Sequence, residues 1–150
     1  MTNDTLSPEI LDRAKACLLG LAIGDAVGTT LEFSRRDSYP PLTDMVGGGP
    51  FYLKAGEWTD DTSMALCLAE GLIQSRSFDA RSILNRFVNW MEYGHNSVTG
   101  ECFDIGTTTR QALQNYADRL EVCDGPSSPD SAGNGSIMRL APAVFADLSP

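Results

Sequence analysis

The sequence has few of the residues that several common kinds of site require. Histidine occurs once in 150 residues, as His95, so a zinc site made of several histidines within this chain is excluded, and we expect His95 to be a hydrogen-bonded structural residue. The four cysteines are scattered and form no C-x-x-C pair. Since Cys17 and Cys67 lie within apolar helical patterns, we predict that the cysteines are buried free thiols.

Signals for secretion, membranes and nucleic acid are missing as well. No apolar stretch reaches the roughly 18 residues of a membrane span, and Met1 to Glu9 lacks the basic and apolar regions of a signal peptide. We therefore expect a cytoplasmic protein without membrane contact. Basic residues number 11 against 20 acidic ones, and the formal net charge is -9, so nucleic acid is not an expected partner.

The motifs of the familiar nucleotide folds are also absent. No Gly-Lys-Ser/Thr sequence ends a glycine-rich loop, so a Walker A motif is excluded, and no such loop follows a strand as a dinucleotide fingerprint requires. Strand alternation is not convincing anywhere, although a strand remains an alternative for residues 137–146. The apolar content of 42% is enough for one domain with a core, so we predict a single all-α domain.

Helical periodicity is what the sequence does contain. Apolar and small residues recur at helical spacing from Ile10, which predicts an amphipathic first helix that runs into Gly20, Gly24 and Gly28. Glycines four residues apart weaken a helix and allow a close neighbour, so we expect close packing or a ligand beside them. Asp25, within this stretch, could belong to a site or could hold the helix against its neighbours.

A long loop and a second helix follow. Residues 34–58, rich in proline and glycine, predict an irregular loop of the length that is often functional. Residues 64–73 then carry apolar side chains in almost every direction, which predicts a helix buried nearly all round. Thr108 with Gln111 predicts a capping box at the start of another helix.

Two more helical segments complete the pattern. Apolar residues within 83–91 predict a helix whose cap is Ser77 or Asp79. The final segment, 137–146, is apolar enough to predict a buried helix despite Pro142.

Thr59-Asp60-Asp61-Thr62 carries the strongest chemical signal. Adjacent carboxylates repel each other, and the partial positive charge of a helix start relieves only part of that repulsion. A hard divalent cation would relieve more, and Mg²⁺, Mn²⁺ and Ca²⁺ prefer carboxylate and hydroxyl ligands. The same residue types are ordinary helix caps, so local evidence leaves capping and metal binding both open.

Two further loop-to-helix junctions combine glycine with polar residues, at 104–110 and 133–139. Free backbone N–H groups at such junctions suit phosphate oxygens, and glycine allows a ligand to come close. Arg139 could in addition pair with a phosphate. Each junction taken alone is also explained by an ordinary turn.

Taken together, these segments resemble the ADP-ribosylglycohydrolase family. The matching motifs are Gly20-Leu21-Ala22-Ile23-Gly24-Asp25-Ala26-Val27-Gly28 with Glu32, Trp58-Thr59-Asp60-Asp61-Thr62, Phe103-Asp104-Ile105-Gly106 with Thr108-Thr109-Arg110, and Gly133-Asn134-Gly135-Ser136-Ile137-Met138-Arg139. The resemblance implies a compact, orthogonal all-α bundle with a centre of two divalent ions, Mg²⁺ or Mn²⁺. It implies hydrolysis of the glycosidic bond between ADP-ribose and a modified side chain or related acceptor. Partners would be ADP-ribose, an ADP-ribosylated protein or a small molecule.

The resemblance also implies a role for each matching residue. Thr59, Asp60 and Asp61 match the family's first metal-ligand motif. Glu32 matches a glutamate beside the metals and Asp104 an acidic position near the substrate, which makes these two the candidate catalytic residues. The residues that match contacts to ADP-ribose are Gly106, Thr107, Thr108, Gly133, Asn134, Gly135, Ser136 and Met138.

The length of the chain departs from the family pattern. Family members run to about twice this length, and their second metal-ligand motif, Asp-x-Asp-Ser/Thr, lies in the other half. Asp130-Ser131 has part of that pattern but lacks the first Asp. The resemblance therefore implies one truncated domain, residues 1–150, equivalent to the N-terminal half. Alternatives are a non-catalytic ADP-ribose-binding or crystallin-like structural relative, and a metal-dependent phosphohydrolase.

Overall fold

A computed structural model describes residues 7–122 and 125–146, and within these ranges the chain is all-α as predicted. Two 3₁₀ turns accompany the helices, at Thr29–Leu31 and Pro129–Ser131. Strand pairing in the described ranges is limited to one isolated antiparallel bridge between Gly48 and Leu53, within the predicted long loop. The helices are α1 (Pro8–Gly28), α2 (Asp60–Ser75), α3 (Ala80–Tyr93), α4 (Thr107–Arg119), α5 (Gly135–Met138) and α6 (Ala141–Ala146).

Helix α2 is the centre of the molecule, because α1, α3, α5 and α6 all pack against it. Met64 and Cys67 are completely buried there. Gly71 lets α3 come so close that a Cβ at that position would lie 2.8 Å from Ile83 Cγ1. The apolar core comprises Met64, Cys67, Leu68, Ile83, Phe87, Trp90 and Leu113. This core fixes the start of α2 and the start of α4 relative to each other.

Helix α3 is capped as the sequence predicts. The Asp79 carboxylate accepts hydrogen bonds from the backbone N–H groups of Arg81 and Ser82, at 3.0 and 3.3 Å. Gly94 ends the helix in the left-handed conformation, at φ +67. His95 then donates or accepts a bond at 2.8 Å between its Nε2 and Glu70 Oε2, so it is the partnered residue that we expected.

The capping box predicted for α4 is wrong. The cap residue is Gly106, which has no side chain to bond with. The Thr108 hydroxyl instead donates to Ser131 O at 2.9 Å, and Gln111 Nε2 donates to Asn115 Oδ1 at 3.2 Å. A tertiary contact has replaced the local one that the spacing suggests.

Helix α1 begins with a cap at Ser7, whose hydroxyl accepts from Ile10 N at 3.3 Å. Most of its apolar side chains are exposed. The close neighbour expected beside Gly20, Gly24 and Gly28 is not found among the described residues, because a Cβ at each would meet nothing within 4 Å. Close packing against these glycines is therefore absent from the described residues, and the alternative, a ligand beside them, stays a prediction.

We expected no stretch long and apolar enough to span a membrane, and this expectation is wrong by the criteria of length and composition. Pro8–Leu31 is 24 residues long, and its most apolar window has a mean hydropathy of 1.3, so by length and composition alone it could cross a membrane. Only 11% of that window is buried. Leucine, isoleucine, valine and alanine keep the average high, although Lys15 and Asp25 interrupt the apolar run. Core helices of water-soluble proteins can pass the same test.

The sequence also predicts more burial for α2 and for the cysteines than the structure shows. Leu66 and Ile73 on α2 are exposed, so this helix is not buried nearly all round. Cys17 is exposed and Cys102 only half-buried, whereas Cys67 is buried as predicted. Cys123 lies outside the described residues. Periodicity identifies an apolar face but not whether another element covers it.

The last predicted helix is two short ones. Helices α5 and α6 are separated at Arg139 and Leu140, and Pro142 lies in the first turn of α6, where a missing N–H costs no helical bond. Pro142 is buried, but Ile137 and Val144 are exposed. The segment is therefore helical as predicted, though interrupted and less buried.

Candidate active site

The start of α2 is capped by a residue from α1. Asp25 Oδ1 and Oδ2 lie 3.1 and 3.0 Å from Thr59 N, and Oδ1 accepts a bond from the Thr59 hydroxyl at 2.7 Å. Thr62 donates to Asp25 Oδ2 from its backbone N–H and from its hydroxyl, at 3.0 and 2.7 Å. Thr59 makes no side-chain cap bond of its own. Of the two hypotheses for Asp25, the geometry favours the one in which it holds α1 against its neighbour.

Asp60 and Asp61 are consequently free of the capping role. Asp60 is only 6% exposed, and Asp61 is half-buried. Burial, together with the charge of Asp61, raises the pKa of Asp60 to about 7. Burial and the charge of Asp25 raise the pKa of Asp61. Hydrogen bonds from the backbone lower both pKa values, but they do not outweigh burial and charge, so the repulsion in the first turn of α2 is only partly relieved.

Glu32 and Asp104 form a second carboxyl pair. Burial, the charge of Asp104 and a hydrogen bond to Asp104 raise the pKa of Glu32 to about 7. Burial and the charge of Asp60 raise the pKa of Asp104 to about 6, whereas its bond with Glu32 acts to lower it. Two carboxyl groups share a hydrogen bond only when one is protonated, so the pair holds one proton between Glu32 and Asp104. The pair can therefore hold and transfer a proton near neutral pH.

The two loops predicted to meet phosphates lie against each other. The bond from the Thr108 hydroxyl to Ser131 O joins the first turn of α4 to the second loop. A Cβ at Gly135 would lie 3.3 Å from Thr109 Oγ1, which shows how closely the Gly135 backbone approaches the Thr109 side chain. The first N–H groups of α4 have no acceptor within the helix. The two loops together make one wall with hydrogen-bond donors.

Arg139 connects the second loop of this wall to the apolar core. Its Nη1 donates to Gly135 O at 2.6 Å and lies 3.5 Å from Met64 Sδ. Its guanidinium carbon lies 5.3 Å from the centroid of the Phe87 ring, a cation–π distance. Burial lowers the pKa of Arg139. Arg139 thus fixes the second loop on the core, and because it also lines the cavity, its pairing with a phosphate stays a prediction.

An aromatic cluster that sequence reasoning missed lies beside the Glu32–Asp104 pair. Phe51 contacts Phe33 in a T-shaped arrangement with centroids 6.4 Å apart, and contacts Phe103 with centroids 5.3 Å apart. Phe33 follows Glu32 directly, and Phe103 precedes Asp104. The signal available in the sequence was this adjacency of an aromatic residue to each candidate catalytic carboxyl.

A loop turn holds Phe51 in place. Gly49 lies so close to the 3₁₀ turn Thr29–Leu31 that a Cβ there would be 2.4 Å from Thr29 O. The Thr30 hydroxyl donates to Gly47 O at 3.0 Å. Contacts from the long loop thus reach the backbone that carries Glu32.

These groups surround one cavity of about 940 Å³, a volume typical of small-molecule sites. Thr109 and Arg139, both within the predicted loops, line it too, and so does Phe33, which the sequence did not point to. Thr59 does not line the cavity, since it is 2% exposed and bonded to Asp25. The predicted site residues in the walls are Glu32, Asp60, Asp61, Asp104, Gly106, Thr107, Thr108, Gly133, Asn134, Gly135, Ser136 and Met138.

The carboxylates are the type of ligand that a hard divalent ion prefers, but among the described residues too few of them converge on one point to form a metal site. In the part of the chain that the structure describes, no group of three or more His, Cys, Asp or Glu side chains converges as a metal site. Asp60 and Asp61 are adjacent carboxyl groups in the first turn of α2, and both line the cavity. Their pKa values are raised by burial and by neighbouring charges, and a bound cation would offset both effects.

Comparison with known proteins points to one family. A sequence model of the ADP-ribosylglycohydrolase family matches residues 6–150. The chain is 59% identical over 143 residues to the ADP-ribosylarginine hydrolase Tri1 of Pseudomonas putida (strain GB-1), a match that covers 94% of this chain and 38% of that protein. It is 36% identical over 145 residues to the ADP-ribosyl-dinitrogen reductase glycohydrolase of Rhodospirillum rubrum, covering 94% of this chain and 47% of that one.

A solved structure gives the same result for the fold. A chain of an ADP-ribosylglycohydrolase-related protein complex superposes with a TM-score of 0.69 at 41% identity, covering 89% of this chain and 42% of that chain. The chain therefore spans less than half the length of these relatives.

Proposed function

The chain belongs to the ADP-ribosylglycohydrolase family, and from this we propose that it supplies part of a hydrolase site that releases ADP-ribose from a modified arginine side chain. One observation carries the proposal: two donor-bearing loops and four carboxyl groups face a single cavity. The arginine acceptor is suggested by the name of the Pseudomonas putida relative.

The diphosphate of ADP-ribose would lie against the two loops. Backbone N–H groups at the start of α4 and at Gly133 to Ser136 would donate to its oxygens, and the Thr107 hydroxyl would add a donor. The Thr108 hydroxyl already donates to Ser131 O, so Thr108 would contribute its backbone N–H. Arg139 holds the second loop in position. This placement would leave the linked ribose near the carboxyl groups that line the same cavity.

The carboxyl groups fit the chemistry of the scissile bond. Cleavage at C1 of the ribose builds positive charge on the sugar, which nearby carboxylates stabilise. An attacking water must lose a proton as it bonds to C1. The guanidine nitrogen takes the electrons of the broken bond, so the leaving group must carry a proton to depart as a stable guanidine. The Glu32–Asp104 pair shares a single proton and has pKa values of about 7 and about 6. Asp104 would accept the proton from water while Glu32 donates toward the acceptor.

We further propose that two Mg²⁺ or Mn²⁺ ions belong to this site, with Asp60 and Asp61 among their ligands. Such ions would orient the ribose hydroxyls and lower the pKa of a bound water. Support comes from the donor chemistry of the first turn of α2 and from the raised pKa of both carboxyls. Thr59, bonded to Asp25, would act by positioning that turn.

The test measures binding and turnover separately in the purified protein. Isothermal calorimetry gives the Kd for ADP-ribose, and chromatography follows ADP-ribose release from ADP-ribosylarginine with Mg²⁺, with Mn²⁺ and with EDTA. We expect binding, metal-dependent release, and a loss of release by a factor of about 100 or more in Asp60→Ala. The matched control is Asp12→Ala, an exposed residue of α1.

Each outcome has a distinct meaning. Binding without release under any condition would favour the non-catalytic ADP-ribose-binding alternative. If the protein neither binds ADP-ribose nor releases it, the proposal is wrong. Full activity in Asp60→Ala, with circular dichroism unchanged, would remove the metal-ligand role.

A further inference from the structure

Phe33 is an unusual residue in the wall of the cavity. Its side chain lines the cavity, yet the residue is 79% exposed, so the ring is not there to fill the core. Its backbone has φ +60, in the left-handed region. That conformation costs an L-residue with a Cβ on the order of 1–2 kcal/mol. Strained residues of this kind cluster at ligand sites, where the surrounding structure holds them.

The ring is held in a defined place. Ser34 N donates to Leu31 O at 3.0 Å and Glu32 N donates to Thr29 O at 3.2 Å, so the backbone on both sides of Phe33 is fixed. Phe51 meets the ring at an interplanar angle of 71°. A T-shaped contact occupies at most one face of a ring. At least one face of Phe33 therefore remains available.

The surroundings favour a cation on that face. An aromatic face is electron-rich and attracts a cation within about 6 Å of its centre, guanidinium especially. Glu32, the preceding residue, and Asp104 add acceptors in the same cavity, so a planar cation could stack on the ring and donate to a carboxylate. A neutral acceptor would gain neither interaction.

We propose that Phe33 is a specificity-determining residue, whose free ring face receives the guanidinium of the acceptor while the neighbouring carboxyl groups accept its N–H bonds. The inference rests on the proposed function, and it assigns the acceptor end of the same cavity. Adenine stacking on Phe33 is the competing occupant, and the experiment separates the two.

The variants are chosen to change the ring alone. Phe33→Leu keeps an apolar side chain that is not branched at Cβ, and it keeps the same backbone strain but removes the aromatic face. Phe33→Tyr keeps the aromatic face. Tyr52→Leu is the matched control, because Tyr52 is an aromatic at φ +56 that is 91% exposed and is not among the residues lining the cavity. The probes are butylguanidinium and butylurea, which share a planar head and differ in charge.

Nuclear magnetic resonance titration gives the Kd of each probe in the purified protein, and calorimetry gives the Kd of ADP-ribose. In Phe33→Leu we expect butylguanidinium to bind about 3- to 30-fold more weakly, and KM for ADP-ribosylarginine to rise by a similar factor. Butylurea and ADP-ribose affinities should stay within about twofold. Phe33→Tyr and Tyr52→Leu should match the wild type.

Three results would overturn the inference. Equal losses for butylguanidinium and butylurea would show that only apolar contact is involved. A weakened ADP-ribose Kd with butylguanidinium unchanged would assign the ring to adenine. Butylguanidinium binding that is unaffected by Phe33→Leu would exclude the cation site. Because the probe titrations need no turnover, they stand even where wild-type hydrolysis is absent and the proposed function fails.

Discussion

The Asp25 carboxylate, on α1, receives both the backbone N–H and the hydroxyl of Thr59, the residue that precedes α2. A cap of this kind is formed across 34 residues of sequence and not within one helix. It connects the glycine-containing helix to the turn that carries Asp60 and Asp61. The position of the candidate metal ligands therefore depends on α1.

Asp25→Ala should strongly destabilise the fold. It leaves the donors of Thr59 and Thr62 without their acceptor, and each unsatisfied buried group costs about 1–3 kcal/mol. We expect a loss of about 2–5 kcal/mol in the free energy of unfolding, measured by urea denaturation. Asp25→Asn, which keeps one acceptor oxygen, should lose less. A loss no larger than that of Asp12→Ala, on the exposed side of α1, would contradict this role.

Asp60→Asn should stabilise the metal-free protein at alkaline pH. The pKa of Asp60 is 3.8 in an ordinary setting and about 7 here, so the folded state binds the proton more tightly than the unfolded state. The stability that this group contributes is complete below pH 3.8 and is lost as the pH rises through about 7. Removing the charge should raise Tm at pH 8, by about 2–4 °C for each kcal/mol of repulsion relieved, and hardly change it near pH 4.

Differential scanning fluorimetry in EDTA, with the exposed Asp37→Asn as control, measures this effect. Added Mg²⁺ or Mn²⁺ should raise the Tm of the wild type and not that of Asp60→Asn, because only the wild type offers the carboxylate. A metal-induced rise of equal size in both proteins would place the ion elsewhere.

Asp104→Asn should lower the pKa of Glu32. The charge of Asp104 and its hydrogen bond both raise that pKa, and both vanish in the variant. The value should fall below about 7 but stay above 4.5, since burial, the largest cause, remains. Carbon-13 resonance titration of the Glu32 carboxyl measures the change. Asp130→Asn, exposed and absent from the cavity wall, should leave it unaltered, and no fall in Asp104→Asn would disprove the coupling.

Gly49→Ala should disturb the site, whereas Gly48→Ala should cost only backbone strain. Both glycines have positive φ, +68 and +86, but a Cβ at Gly49 would lie 2.4 Å from Thr29 O, while one at Gly48 meets nothing within 4 Å. We expect Gly49→Ala to lose at least about 1–2 kcal/mol more stability than its neighbour and to weaken ADP-ribose binding. Thermal unfolding and calorimetry check both effects. Similar losses for the two variants would show that strain alone matters.

The sequence predicts best where the cause is local. The position of α2 and the cap at Asp79 follow from spacing and residue type, and the loops around Gly106 and Gly135 could be found through family motifs. The cap from Asp25 and the Thr108–Ser131 bond could not, because each joins residues that only tertiary packing brings together. Phe33 escaped notice for another reason: nothing in the sequence marks an aromatic residue that adopts a left-handed backbone and remains exposed.

Helix α1 has a consequence for how the protein behaves in solution. Leu11, Leu18, Leu19 and Ile23 are exposed on it, so two molecules that meet along this helix would gain apolar burial. The net charge of -9 keeps molecules apart at neutral pH. This repulsion disappears near the isoelectric point of about 4.4 and is screened by concentrated salt. Self-association along this helix should therefore be strongest in acid and in concentrated salt, where the charge repulsion between molecules is weakest.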